Sequence, residues 1–251
     1  MLLHGAGANA HWWDHLAPRL AREFHVIALD FRGHGASDFP EALLPGAFRD
    51  DLEALLEHLG DPDAALVGHS LGAHVALGHA AARPGTRALV LLDPSRGASA
   101  SRKRATRLAL SLRPTYASRA EAMRRFQFLP APARVDEGLR AAIAEHSVRE
   151  EGDGRFGFRF DPRWFGVPER ERTDPQRVAA PTLILRGAES PLLTAEGASA
   201  LAGEIPNARL VEIPGAGHHL QLERPDACLA ALEPFLRAHH GGAERRATLG
   251  R

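Results

Sequence analysis

Short, uniformly apolar runs alternate with helix-patterned stretches along most of the chain. Residues 25–30 carry Val26, Ile27, Ala28 and Leu29 in succession, 64–68, 87–92 and 181–185 are of the same type, and 209–213 reads as a further strand. Met1 to Leu3 is the end of another such run. Apolar runs without polar alternation predict strands buried on both faces, as in a parallel sheet covered by helices. Between the runs, Phe48, Leu52, Leu55, Leu56 and Leu59 fall on one helical face, and Gly60-Asp61-Pro62 stops that helix. Trp13, Leu16, Leu20 and Phe24 predict a helix over 13–24; others are predicted at 71–82, 194–202 and 225–239. The expected fold class is α/β, a mostly parallel sheet with helices on both faces.

The rhythm changes from 95 to 178. Strong apolar runs give way to arginine-rich helical patterns at 120–126 and 135–146, and Phe156, Phe158 and Phe160 alternate as a short strand or an aromatic lining would. The organisation read from this is a core at 1–94, an insertion at 95–178, a second core part at 179–240 and a polar, disordered tail at 241–251. An insertion between two strands would sit over their carboxyl edge, where open α/β sheets place ligands.

Charge changes the picture only locally. The chain has 31 basic and 31 acidic side chains, so no nucleic-acid footprint is present. Residues 95–178 hold 18 Lys and Arg against 11 Asp and Glu, a net of +7 by subtraction, which favours an anionic substrate near that segment. No apolar run approaches the length of a membrane span, and the N-terminus lacks a signal-peptide layout, so a cytoplasmic protein with no membrane partner is expected. Cys228 is the sole cysteine and is expected to be a buried apolar residue. No HExxH, CxxC or dinucleotide glycine fingerprint occurs, so neither metal nor cofactor is expected. The expected partner is a small-molecule substrate, with the chain a monomer or homodimer.

The chemistry concentrates at three places. Gly68-His69-Ser70-Leu71-Gly72 follows an apolar strand and opens an alanine-rich helix. That context lifts the serine onto a sharp strand-to-helix turn, with glycines where side chains would clash. The helix beginning at Leu71 points its amide dipoles at Ser70. A serine hydroxyl needs a base to take its proton, and Gly215-Ala216-Gly217-His218 supplies an imidazole on a glycine loop; His219 stands beside it as an alternative. His4-Gly5-Ala6-Gly7 follows the first strand, and the backbone N–H groups of Ala6 and Leu71 could form an oxyanion hole.

In order, these motifs resemble the α/β-hydrolase superfamily. Further landmarks are Asp30-Phe31-Arg32-Gly33-His34-Gly35-Ala36-Ser37, Leu91-Leu92-Asp93-Pro94 and Leu185-Arg186-Gly187. The resemblance implies that 95–178 is the family's helical cap, that Arg32 pairs with a carboxylate or backbone group, and that His218 rather than His219 is the base. Two departures stand out. The family's opening hairpin has no counterpart before His4: either the start is truncated or the hairpin is lacking, and its loss would expose a sheet edge and lower stability or invite edge pairing. Ser190 occupies the usual position of the triad acid, leaving Asp93, at the family's alternative location, and Glu189 as contenders.

The resemblance implies a serine hydrolase that cleaves an ester, lactone or related acyl bond through an acyl-enzyme. Alternatives are a C–C or C–N bond hydrolase on a carboxylate-bearing substrate, and a cofactor-independent oxygenase or non-catalytic ligand sensor on the same fold. Trp12, Trp13, Phe126, Phe128, Trp164 and Phe165 are available to line an apolar pocket, with core packing the commoner role.

Overall fold

The computed structural model describes residues 1–112, 114–132, 134–167 and 173–240. The tail expected at 241–251 and the Phe165 side chain lie outside the described residues. Six strands form one sheet: β1 (Leu2–Leu3), β2 (Ala28–Leu29), β3 (Leu66–His69), β4 (Leu89–Leu92) and, after a long interval, β7 (Thr182–Gly187) and β8 (Ala208–Ile213). Their order is β2-β1-β3-β4-β7-β8, and every neighbouring pair is parallel. The chain steps from β1 to β2 on one side and then crosses to β3 on the other. The order therefore reverses between β1 and β3, and a crevice opens at their carboxyl ends.

The apolar run at 25–30 forms a ladder only at Ala28 and Leu29. β2 has β1 as its single neighbour, and a ladder is no longer than its shorter member; one further bond, Leu2 N–H to the Ile27 carbonyl at 2.7 Å, ends it. β1 itself lies between β2 and β3, so the sheet edge is β2. The helix predicted over 13–24 is divided into a 3₁₀ turn at Ala10–Trp13 and α1 at Ala17–Leu20. Pro18 causes the division, since it has no N–H to continue a helix and fits only a first turn.

The core helices are α2 (Ala47–His58), α3 (Leu71–Ala82) and, beyond the insertion, α7 (Ala195–Glu204), α8 (Leu220–Glu223) and α9 (Pro225–His240). Two apolar layers flank the sheet, and β4 shows how period-two geometry feeds both. Leu89 and Leu91 join Leu52, Leu56, Ala76 and Leu201 on one face. Val90 and Leu92 join Trp13, Leu16, Leu229 and Leu232 on the other. Each fully buried leucine contributes about 1.5–3 kcal/mol. Cys228 lies in the second layer, donates to the Leu220 carbonyl, and has its thiol pushed up to about 12 by burial. Arg32 forms its carboxylate pair with Asp51.

Between β4 and β7, which are neighbours in the sheet, residues 95–178 form α4 (Ala100–Ser111), α5 (Arg119–Arg125), α6 (Glu137–Ser147) and an antiparallel pair, β5 (Val148–Glu150) with β6 (Phe156–Phe158). The alternating phenylalanines thus begin in a strand, whose partner had no comparable signal. Ser118 and Asp136 cap α5 and α6 by accepting from the Glu121 and Leu139 N–H groups. A third apolar cluster joins Ala8, Trp12 and Leu222 of the core to Phe126, Phe128 and Ile143 of this segment. Asn9 adds a buried hydrogen bond to Ser147 at 3.1 Å. Among the described residues, no helix is long and apolar enough to cross a membrane.

Candidate active site

Ser70 sits between the end of β3 and the start of α3 with φ 51° and ψ −110°. Asp93, one residue past β4, has φ 47°. Among the described residues these are the only non-glycine positions with positive φ. Each costs on the order of 1–3 kcal/mol and persists only where the surroundings impose it. Here the neighbouring strands impose it. Ser70 N–H donates to the Leu92 carbonyl at 3.0 Å, and Asp93 N–H to the Leu185 carbonyl at 2.8 Å. The flanking glycines are required as expected: a Cβ on Gly68 would run into the Gly72 backbone, and one on Gly72 into the carbonyls of Leu3 and His4. Gly5 packs so closely that a Cβ there would lie 2.8 Å from His69 Nδ1 and 3.4 Å from the Ser70 Cβ.

The two candidate acids differ in burial and in their contacts. Asp93 is fully buried and its Oδ2 lies 2.8 Å from His218 Nδ1, whereas Glu189 is exposed. Asp93 also accepts from Gly187 N–H at 3.1 Å and Ser190 Oγ at 2.5 Å. Ser190 in turn accepts from the Leu192 and Leu193 N–H groups, which directs its own proton to Asp93. Three donors thus converge on this one carboxylate. With Nδ1–H given to Asp93, neutral His218 keeps its lone pair on Nε2, as a general base requires.

Ser70 and His218 are brought to the same crevice without a hydrogen bond between them among the described residues. His69, adjacent to Ser70, donates from Nε2 to the His218 carbonyl at 3.0 Å, and the two rings are 4.8 Å apart. His219 turns elsewhere: its Nε2 donates to the Pro130 carbonyl at 2.9 Å, and burial holds it well below the usual imidazole range. Ala6 and Leu71 present backbone N–H groups that meet no protein acceptor among the described residues. Ala6 borders a cavity of about 180 Å³ lined also by Trp12, Phe126, Phe160, Arg125 and Arg159. Trp13 belongs to the core layer instead, Phe128 packs in the third cluster, and Trp164 packs against Phe48.

The imidazole of His4 fixes the first loop. Nδ1 donates to the Gly5 carbonyl at 2.7 Å while Nε2 accepts from Phe31 N–H at 3.1 Å, a pairing available only to the neutral ring. Burial holds His4 well below its ordinary value, and lowers the neighbouring His34 to about 4. For a histidine with a depressed folded pKa, the unfolded chain binds the proton first. Stability is therefore complete above about 6.5 and falls as pH drops below it, by about 1.4 kcal/mol per pH unit for each such group. The midpoint of urea unfolding is expected to decline between pH 6.5 and pH 4.5; a flat profile counts against these buried neutral rings.

Comparison with known proteins settles the kinship. The family model described as "Alpha/beta hydrolase family" matches residues 1–231. The chain belongs to the alpha/beta hydrolase family. It is 29% identical over 255 residues to "2-(acetamidomethylene)succinate hydrolase" of Mesorhizobium japonicum, covering 95% of this chain and 87% of that protein. "Esterase Rv0045c" of Mycobacterium tuberculosis is 29% identical over 246 residues, covering 94% and 82%. Among solved structures, that of "E-2-(Acetamidomethylene)succinate Hydrolase" superposes with a TM-score of 0.81 at 26% identity, covering 94% of this chain and 90% of the other. The protein is thus a hydrolase enzyme of this fold.

Two further residues support the loops around His218 and Asp93. Glu223 is buried on α8 and accepts from Gly217 N–H at 3.1 Å and His219 N–H at 3.2 Å, bracketing His218. A carboxylate five positions after a glycine-flanked histidine, in the first turn of a helix, was the available clue. Ser190, at the family's usual acid position, instead donates its hydroxyl to Asp93.

Proposed function

We propose that the chain is a serine hydrolase of carboxylic esters and related acyl bonds, with Ser70 as nucleophile, His218 as base and Asp93 as the acid that orients it. The observation that carries this reading is the buried Asp93–His218 hydrogen bond, at the crevice where Ser70 stands on a strained turn. His218 Nε2 takes the Ser70 proton as Oγ attacks the carbonyl carbon. Asp93 stabilises the resulting imidazolium without itself being protonated. The N–H groups of Ala6 and Leu71 hold the developing oxyanion, each worth on the order of 10²–10³ in rate. His218 then protonates the leaving group, and water, activated by the same ring, cleaves the acyl-enzyme. Residues 95–178 serve as a cap, supported by the apolar cluster and the Asn9–Ser147 bond that tie them to the catalytic loops.

A narrower substrate class is favoured by the cavity beside Ala6. Arg125 and Arg159 line it together with aromatic rings, a combination that suits an acyl group bearing a carboxylate. The relative named 2-(acetamidomethylene)succinate hydrolase supports the C–N variant of this reading.

Incubation with a fluorophosphonate, and with p-nitrophenyl esters of graded chain length, tests the proposal. Stoichiometric labelling that maps to Ser70, with turnover of at least one ester, is the expected result. Absence of labelling would refute an activated serine.

A further inference from the structure

His69, His218 and His219 are all buried, and one ring nitrogen of each lies within 4.8 Å of one from each of the others. Their ring centroids are 4.8, 5.0 and 5.5 Å apart. Base catalysis uses one of these rings, so the proximity of the other two calls for an explanation. In each ring one nitrogen is already committed as a donor: His69 Nε2 to the His218 carbonyl, His218 Nδ1 to Asp93, and His219 Nε2 to the Pro130 carbonyl. The second nitrogen therefore carries a lone pair. For His69 and His219 that atom is Nδ1, buried and without a hydrogen-bond partner. A buried polar atom left unpaired is costly, and two within one cluster are uncommon.

Metal-ligating histidines divide their two nitrogens in the same way. One nitrogen donates to a carbonyl or carboxylate, which fixes the tautomer and raises the basicity of the other. The His218–Asp93 pair has the carboxylate–histidine form of that support. We infer that His69, His218 and His219 form a binding site for a divalent transition-metal ion of the zinc type, and that occupancy switches the enzyme off. Three neutral imidazoles match the preference of zinc for nitrogen donors. Ligand distances of about 2.0–2.1 Å require nitrogens about 3.4 Å apart in a tetrahedral site, so the rings must close somewhat. His218 and His219 follow Gly215 and Gly217 on a loop, whereas His69 is held in β3, so the loop supplies the adjustment.

Binding itself rests on the histidine geometry alone; inhibition rests on His218 being the base proposed above. An ion on His218 Nε2 occupies the lone pair that would take the Ser70 proton. Metal and catalysis then compete for one atom, and a chelator restores activity.

The test uses the full chain freed of metal with EDTA. A second group, His11, Asp14 and His146, could also hold an ion, so His11→Ala provides the background. Equilibrium dialysis of His11→Ala, Ser70→Ala with zinc chloride is expected to show one zinc per chain, with at least tenfold weaker binding when His219→Phe is added. Cobalt(II) on His11→Ala alone is expected to give the intense visible absorption of a tetrahedral site, a readout that needs no further variant. In ester hydrolysis, zinc is expected to inhibit reversibly, and His219→Phe to need at least tenfold more zinc for the same inhibition. No bound zinc, or binding unchanged by His219→Phe, overturns the site. Zinc bound at one per chain with hydrolysis unaffected overturns the switch and leaves the site standing. Zinc bound to a chain that hydrolyses no ester faults the proposed reaction and leaves the metal site in place.

Discussion

Asp93→Asn is expected to lower kcat by about 10⁴-fold, while Glu189→Gln leaves it within about twofold. Asp93 is the carboxylate on His218 Nδ1, and asparagine in its place can present an amide N–H to that nitrogen. The ring would then adopt the other tautomer, with its proton on Nε2 and no lone pair for Ser70. Geometry at the site would change little: Gly187 N–H still meets a side-chain oxygen, while Ser190 Oγ, which shares Asp93 Oδ2 with His218, would face the amide nitrogen and accept from its second N–H. The loss should appear in kcat with KM almost unchanged, because the interaction matters most once the imidazolium forms. Glu189 is exposed, and surface substitutions of that kind are close to neutral. A large loss in Glu189→Gln with an active Asp93→Asn would reverse the assignment.

Ser70→Ala is expected to cost more, about 10⁶-fold in kcat, and to abolish fluorophosphonate labelling. A second readout separates a nucleophile from a serine that merely ends a strand. Ser70 has positive φ, and alanine keeps that strain, whereas glycine releases it. Ser70→Gly is therefore expected to be as inactive as Ser70→Ala and about 1 kcal/mol or more stable than the parent by urea unfolding. Retained turnover in Ser70→Ala would remove the serine from the mechanism. A Ser70→Gly chain less stable than the parent would contradict the strain.

Much of this was readable before any coordinates. The elbow glycines, the apolar strand ahead of them and the loop histidine each encode a local requirement, and local requirements survive in sequence. Leu71–Ala82 needed no adjustment as a helix, because its boundaries are set by the turn before it and Pro84 after it. What escaped was set by partners distant in the chain. The shortness of β2 follows from the two residues of β1 beside it. The contacts that set Asp93 apart from Glu189 follow from the pairing of β4 with β7, which carries Gly187 and Ser190 to the Asp93 carboxylate. Glu223 acts on backbone N–H groups, and these have no identity in a sequence. The three-histidine cluster joins residues separated by nearly 150 positions, so no spacing rule announces it.

The strand order also sets a timetable for biosynthesis. Ser70 and Asp93 directly follow β3 and β4, whereas His218 follows β8. A chain emerging from the ribosome completes the turn at Ser70 and the proposed acid long before the proposed base. β4 meanwhile waits with one flank open until β7 is made and docks beside it. On the proposed mechanism Ser70 thus lacks its base for as long as the polypeptide is unfinished, and β8 and the loop behind it complete the sheet and supply that base together.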